Sequence, residues 1–213
     1  MLSLENMNIV GQASFLVEAL GEVWETHRGE ASGVVLIGHS IGAAIAATVA
    51  SLTPSWPLLG LAISGVGLTT NPGDHEMWLS LPDLPLVDMP EAVKDQVMFG
   101  PPGSFANDMR AASHAADAQV PKAELLSITG DWHNVARDVL SRIAVPVHYR
   151  QAEFDKLWIV DRGQVEAFEA SLSSSPRVDA RMMQGVGHCI DFHRIGAAFQ
   201  LQQVGFALEC AVR

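Results

Sequence analysis

The sequence predicts an α/β fold: a mostly parallel sheet with helices on both faces, interrupted by a helical insertion. Three observations carry this expectation. Runs such as Val34-Val35-Leu36-Ile37 are apolar without alternation, as strands buried on both faces require. These runs alternate with stretches of helical periodicity, the pattern of parallel strands joined by crossover helices. Between residues 68 and 142 the alternation stops, and Pro72, Pro82, Pro85, Pro90, Pro101, Pro102 and Pro121 break the chain into short amphipathic pieces. The core is therefore assigned to residues 1–67 and 143–213, and the helical insertion to 68–142.

Taken in order, Val10, Ala13, Phe15, Leu16, Ala19, Leu20 and Val23 predict a helix within Leu4 to His27. A Gly-containing turn leads to the strand Val34 to Ile37 and an Ala-rich helix that ends near Pro54. Leu58 to Ser64 reads as a second strand. Beyond the insertion, Val145 to Tyr149 predicts a strand, Val160 to Leu172 a helix, Val178 to Met183 a strand and Ile190 to Ala211 a long helix.

The bulk properties narrow the partners. At 213 residues the chain suits one domain with a substantial core, and 48% hydrophobic against 17% charged residues favours a well-buried sheet. A formal charge of -11 repels phosphate backbones and anionic lipid, which disfavours nucleic-acid and membrane partners and leaves a small molecule. Cys189 and Cys210 are too few for a disulfide framework and are read as reduced thiols. The first residues lack a basic segment followed by an apolar one, and Ile41 to Leu52 is too short to span a bilayer, so a cytoplasmic location is expected.

The strongest local signal is Gly38-His39-Ser40-Ile41-Gly42, set between a buried strand and an Ala-rich helix. This G-x-S-x-G pattern places a serine on a sharp strand-to-helix turn, where small flanking residues avoid clashes. The hydroxyl then sits at a helix N-terminus, and the Ile41 N–H is available to a developing oxyanion. A serine needs a base, and the base an orienting acid. Asp155 follows Ser40 by 115 residues and lies just past a strand. His188 follows 33 residues later, with Gly185 and Gly187 permitting a tight loop.

With these residues in view, the run from Leu4 to Val49 resembles the helix, strand and nucleophile elbow of the α/β-hydrolase family. Its G-H-S-x-G form is the one common in esterases and lipases. The segments around Asp155 and His188 resemble the two later triad loops, and the proline-rich insertion falls where the family carries a helical lid. The resemblance implies a serine hydrolase with Ser40 as nucleophile, His188 as base and Asp155 as acid, acting on an ester, lactone or thioester of a mainly apolar substrate without metal or organic cofactor. Transfer of the acyl group to another acceptor, or ligand binding by a catalytically impaired protein, are the alternatives. The sequence departs from the family in one respect: 39 residues precede Ser40, with no earlier strands and no His-Gly loop for the second oxyanion donor. The chain thus reads as one that begins part-way through the domain. Its nucleophile strand is expected at an exposed sheet edge, a route to self-association.

Rivals exist for most roles. Asp74 follows the second strand and competes with Asp155; Glu153 is placed at a strand end, short of the imidazole. His193 is read within the last helix, as a structural or surface residue. His39 is read as a packing residue or, with Trp78 and Trp158, as a substrate contact. Asp191 is expected to favour the start of the last helix by its charge. The spacing of His188, Asp191 and His193 fits no standard zinc pattern. Cys189 is read as an inert thiol. Trp78, Leu79, Leu81, Leu84, Leu86, Met89, Met98 and Phe99 serve either as pocket lining or as packing within the insertion.

Overall fold

The computed structural model describes residues 4–212. In chain order its elements are α1 (Ile9–His27), β1 (Val34–His39), α2 (Ile41–Ser51), β2 (Leu58–Ser64), α3 (Asp74–Leu79), β3 (Leu86–Val87), α4 (Glu91–Met98), α5 (Met109–Ala115), β4 (Val120–Pro121), α6 (Lys122–Gly130), α7 (Trp132–Ser141), β5 (Val147–Ala152), α8 (Arg162–Ser171), β6 (Val178–Met183) and α9 (Gly196–Ala211). The main sheet is parallel throughout, in the order β1-β2-β5-β6.

Strand alternation sorts side chains between two layers. Leu61 and Ile63 of β2, with Val147 and Tyr149 of β5, join the main core formed with α1, α2, α7 and α8. The Tyr149 ring stacks on Phe168 of α8 at 3.9 Å between centroids. Ala62 points the other way, onto Phe206 and Cys210 of α9. Helices on both faces are thus a consequence of period two in β2 and β5. β1 is an edge strand, and Ile37 is 52% exposed there. Among the described residues no helix is long and apolar enough to cross a membrane.

Several expected boundaries shift, each for a local reason. β2 and β6 match their expected ranges. β5 starts later, at Val147, and runs on through Arg150, Gln151 and Ala152. The polar residues remain in the strand because each is paired: Arg150 bonds the Asp179 carboxylate at 2.8 Å, and Gln151 serves the site described below. The first helix begins only at Ile9, where the Asn8 side chain accepts from the Gly11 amide at 2.8 Å. Its inner face is Ile9, Ala13, Leu16, Leu20 and Trp24; Val10, Phe15 and Val23, expected on the apolar stripe, are exposed.

The expected last helix is broken. A 3-10 turn at Ile190–Phe192 precedes α9, and Gly196 abuts the Asp191 backbone so closely that a Cβ would lie 2.3 Å from its carbonyl oxygen. In the region expected as a helical insertion, β3 and β4 form a short antiparallel ribbon. That ribbon and α3 and α6 share a satellite cluster around Trp78, Val87 and Leu125. Trp132, Ala136, Val139 and Leu140 of α7, however, lie in the main core, so the separately packed part ends before residue 142.

Candidate active site

Ser40 joins β1 to α2 with φ 56° and ψ -127°. The left-handed φ is sterically unfavourable for a residue with a Cβ, by about 1–3 kcal/mol. Neighbouring bonds hold it: the Ser40 amide donates to the Ser64 carbonyl at 2.9 Å, and the Ser40 carbonyl accepts from the Ala43 amide at 2.9 Å. Gly38 is required by close approach, since a Cβ there would lie 2.5 Å from the Gly42 carbonyl oxygen. Gly42, expected to be equally constrained, has open space where a Cβ would stand. The Ile41 amide, at the first position of α2, donates to no other described backbone group.

The loops after β5 and β6 bring two further groups to the same end of the sheet. His188 Nε2 lies 2.8 Å from Ser40 Oγ. His188 Nδ1 lies 2.8 Å from Asp155 Oδ2. Because the carboxylate only accepts, the ring proton sits on Nδ1 and Nε2 is free to accept from the serine. His188 is 1% exposed and Asp155 is buried. The carboxylate is fully engaged: Gln151 Nε2 donates to Oδ2 at 3.0 Å, and the Leu157 amide donates to Oδ1 at 3.0 Å.

Sequence reasoning missed the groups that hold these loops. Gln151 is one; its signal is its place two residues after Tyr149, on the same strand face. Asn71 is another, donating from Nδ2 to the Lys156 and Trp158 carbonyls at 2.7 and 3.1 Å and so tying the loop after β5 to the loop after β2. Glu153 has a structural part: its Oε2 accepts from the Gly185 amide at 2.7 Å and braces the turn before His188. Asp74 lies at the start of α3, and burial, with the charge of Asp155 adding, pushes its carboxyl up to about 6.

A cavity of about 150 Å³ opens beside Ser40, lined by Ile41, Thr70, Trp78, Met98, Leu157 and Trp158 among others. Trp78 and Trp158 both line this cavity. His39 does not line it. Its Nδ1 lies 3.0 Å from Ser64 Oγ, its ring is 4.9 Å from that of His188, and burial, then the His188 charge, pushes its pKa down to about 3. Of the apolar residues in the insertion, Met89 also lines the cavity, whereas Leu79 and Leu84 are exposed.

His193 lies outside any helix, between the 3-10 turn and α9, and is buried. Asp191 accepts from Gln200 of α9 at 2.9 Å. Burial, then the charges of Asp155 and Asp191, pushes the Cys189 thiol up to about 12, so it carries no thiolate at neutral pH. Among the described residues no group of three or more His, Cys, Asp or Glu is placed to hold a metal ion.

A sequence model of the alpha/beta hydrolase family matches residues 8–197. Among curated proteins none matches the sequence significantly. Solved structures of similar fold include a metagenome-derived lipolytic enzyme of the LipS and LipT pair, 15% identical, with TM-score 0.64 over 92% of this chain and 74% of that one. A thermophilic esterase from Thermogutta terrifontis is 15% identical, with TM-score 0.65 over 96% of this chain and 73% of its own. The monoacylglycerol lipase of Paleococcus ferrophilus is 15% identical, with TM-score 0.63 over 93% and 76%. At these identities the likeness is one of fold.

Proposed function

The chain belongs to the alpha/beta hydrolase family of enzymes, and we propose that it is a serine hydrolase cleaving esters, lactones or thioesters of small apolar groups through an acyl-enzyme at Ser40. One observation carries this reading: the continuous hydrogen-bonded chain from Ser40 Oγ through both His188 nitrogens to Asp155, 2.8 Å at each step. The similar structures, described as lipolytic enzyme, esterase and monoacylglycerol lipase, point the same way.

In the first half-reaction Ser40 Oγ attacks the substrate carbonyl carbon while its proton passes to His188 Nε2. Asp155 remains ionised and stabilises the imidazolium. The carbonyl oxygen, now negative, is met by the Ile41 amide and the positive end of α2. When the carbon–leaving-group bond breaks, His188 returns the proton to the leaving oxygen or sulfur. Water then attacks the acyl-enzyme with His188 as base, the ester bond to Ser40 breaks, and Oγ regains its proton.

The cavity limits the apolar group. Its volume of about 150 Å³ is that at which an apolar protein cavity takes up a benzene molecule, so a phenyl ring or a chain of about four to six carbons fills it. The test is a series of p-nitrophenyl esters: acetate, butyrate, hexanoate and dodecanoate, assayed with the parent and Ser40→Ala. The expected kcat/KM peaks at butyrate or hexanoate, and Ser40→Ala gives none. A maximum at dodecanoate contradicts the size limit, and turnover by Ser40→Ala contradicts the mechanism.

A further inference from the structure

The imidazole of His193 sits where two distant segments cross. Its Nδ1 lies 2.8 Å from the Cys189 carbonyl oxygen, and its Nε2 accepts from the Gly100 amide at 2.9 Å and the Gly187 amide at 3.0 Å. A carbonyl only accepts and an amide only donates, so the ring is the neutral tautomer with its proton on Nδ1. One lone pair therefore takes an amide from each segment. Gly100 belongs to the stretch between α4 and α5, and Gly187 immediately precedes His188 in the loop after β6.

The crossing has no slack. A Cβ on Gly100 would lie 2.5 Å from the Gly187 nitrogen, and one on Gly187 would lie 2.4 Å from the Gly100 nitrogen. Backbone bonds bracket it on either side, from the Cys189 amide to the Met98 carbonyl at 3.0 Å and from the Arg194 amide to the Ser104 carbonyl at 2.8 Å. The Phe105 ring meets the imidazole edge-on at 5.9 Å. Met98 also lines the substrate-sized cavity, so the segment that His193 ties down is part of the site.

We propose that His193 is a positioning residue: as double acceptor for Gly100 and Gly187 it fastens the segment over the site to the loop bearing His188, and holds that imidazole in line between Ser40 and Asp155. The inference rests on reading those three residues as the triad, while the clamp itself is a ground-state property that is measurable without turnover. Removing the acceptor leaves the buried Gly187 amide and the part-buried Gly100 amide unpaired, and the segments relieve this by separating. A shift of about 1 Å at a reacting group lowers the rate by about a hundredfold.

Two substitutions test it. His193→Leu removes the acceptor; His193→Gln restores one, because the glutamine Oε1 reaches about as far as Nε2 and accepts twice. His193→Leu is expected to lower kcat on p-nitrophenyl butyrate about tenfold or more with KM within about threefold, and His193→Gln to recover most of kcat. The downfield proton resonance of the His188–Asp155 hydrogen bond should weaken in His193→Leu and persist in His193→Gln. Parental kcat and resonance in His193→Leu, or a glutamine variant no better than leucine, overturns the proposal. Should His193→Leu fail to fold, His193→Asn, too short to reach both glycines, takes its place under the same criteria. If Ser40→Ala turns over the ester as the parent does, the triad reading fails, and the resonance still decides whether His193 clamps the loop.

Discussion

Ser40 occupies a left-handed backbone conformation, and what offsets its cost is the convergence of bonds around it rather than any single contact. The same economy marks Asp155, whose two oxygens accept from His188, Gln151 and Leu157. Three donors around one buried carboxylate fix its direction. Asp155→Asn keeps the shape but removes the charge and offers an N–H₂ where only acceptors fit. It also loses control of the His188 tautomer. The expected result is a fall in kcat of about a hundredfold to ten-thousandfold with KM little changed, read by steady-state kinetics on p-nitrophenyl butyrate. Asp74 does not hold the imidazole in the folded protein: it lies at the start of α3, and His188 Nδ1 is engaged by Asp155. Unchanged kcat in Asp155→Asn would reassign the acid.

At the scale of elements, what the sequence makes legible follows from how local the cause is. β2 and β6 are legible to the residue, because each is bounded by turn residues: Pro57 and Gly65 for β2, Pro176 and Gly185 for β6. The elbow is legible for the same reason, its strand, small residue and helix being consecutive. β5 is not: Arg150 and Gln151 read as the end of a strand, yet their partners Asp179 and Asp155 are supplied by the neighbouring strand and the following loop. The break before α9 depends on the Gly196 backbone meeting Asp191, a contact invisible to helical periodicity. The choice of Asp155 over Asp74 needs the relative position of two loops, and chain order alone leaves both open. Asn71 lies 85 residues from the Lys156 carbonyl it holds, so no local pattern marks it.

For the molecule as a whole, buried ionisable groups set the response to acid. Burial lowers the pKa of His39 from 6.5 to about 3 and of His148 from 6.5 to about 4, and lowers that of His193. The unfolded chain takes protons on these residues near pH 6.5 and the folded chain does not, so stability falls as pH drops below that value, until the folded sites titrate. Asp179, which burial would raise, is held low by Arg150 and acts in the same sense. Asp74 and Glu124, raised by burial, act oppositely: their contribution is present at low pH and is lost as pH rises, for Asp74 through about 6. The histidines dominate, so the thermal midpoint should decline steadily from pH 7 to pH 4; a midpoint that rises over this range contradicts the burial of neutral histidines. The same global fold brings the ends of β1, β5 and β6 together, and with them Ser40, Asp155 and His188, which lie in the loops after those three strands. The most direct test is labelling of the folded protein with a fluorophosphonate, followed by peptide mapping. A stoichiometric adduct on Ser40 is expected in the parent and little in His188→Ala or in urea-unfolded protein; no adduct on Ser40 in folded parent protein, or equal labelling of His188→Ala, would rule out this convergence.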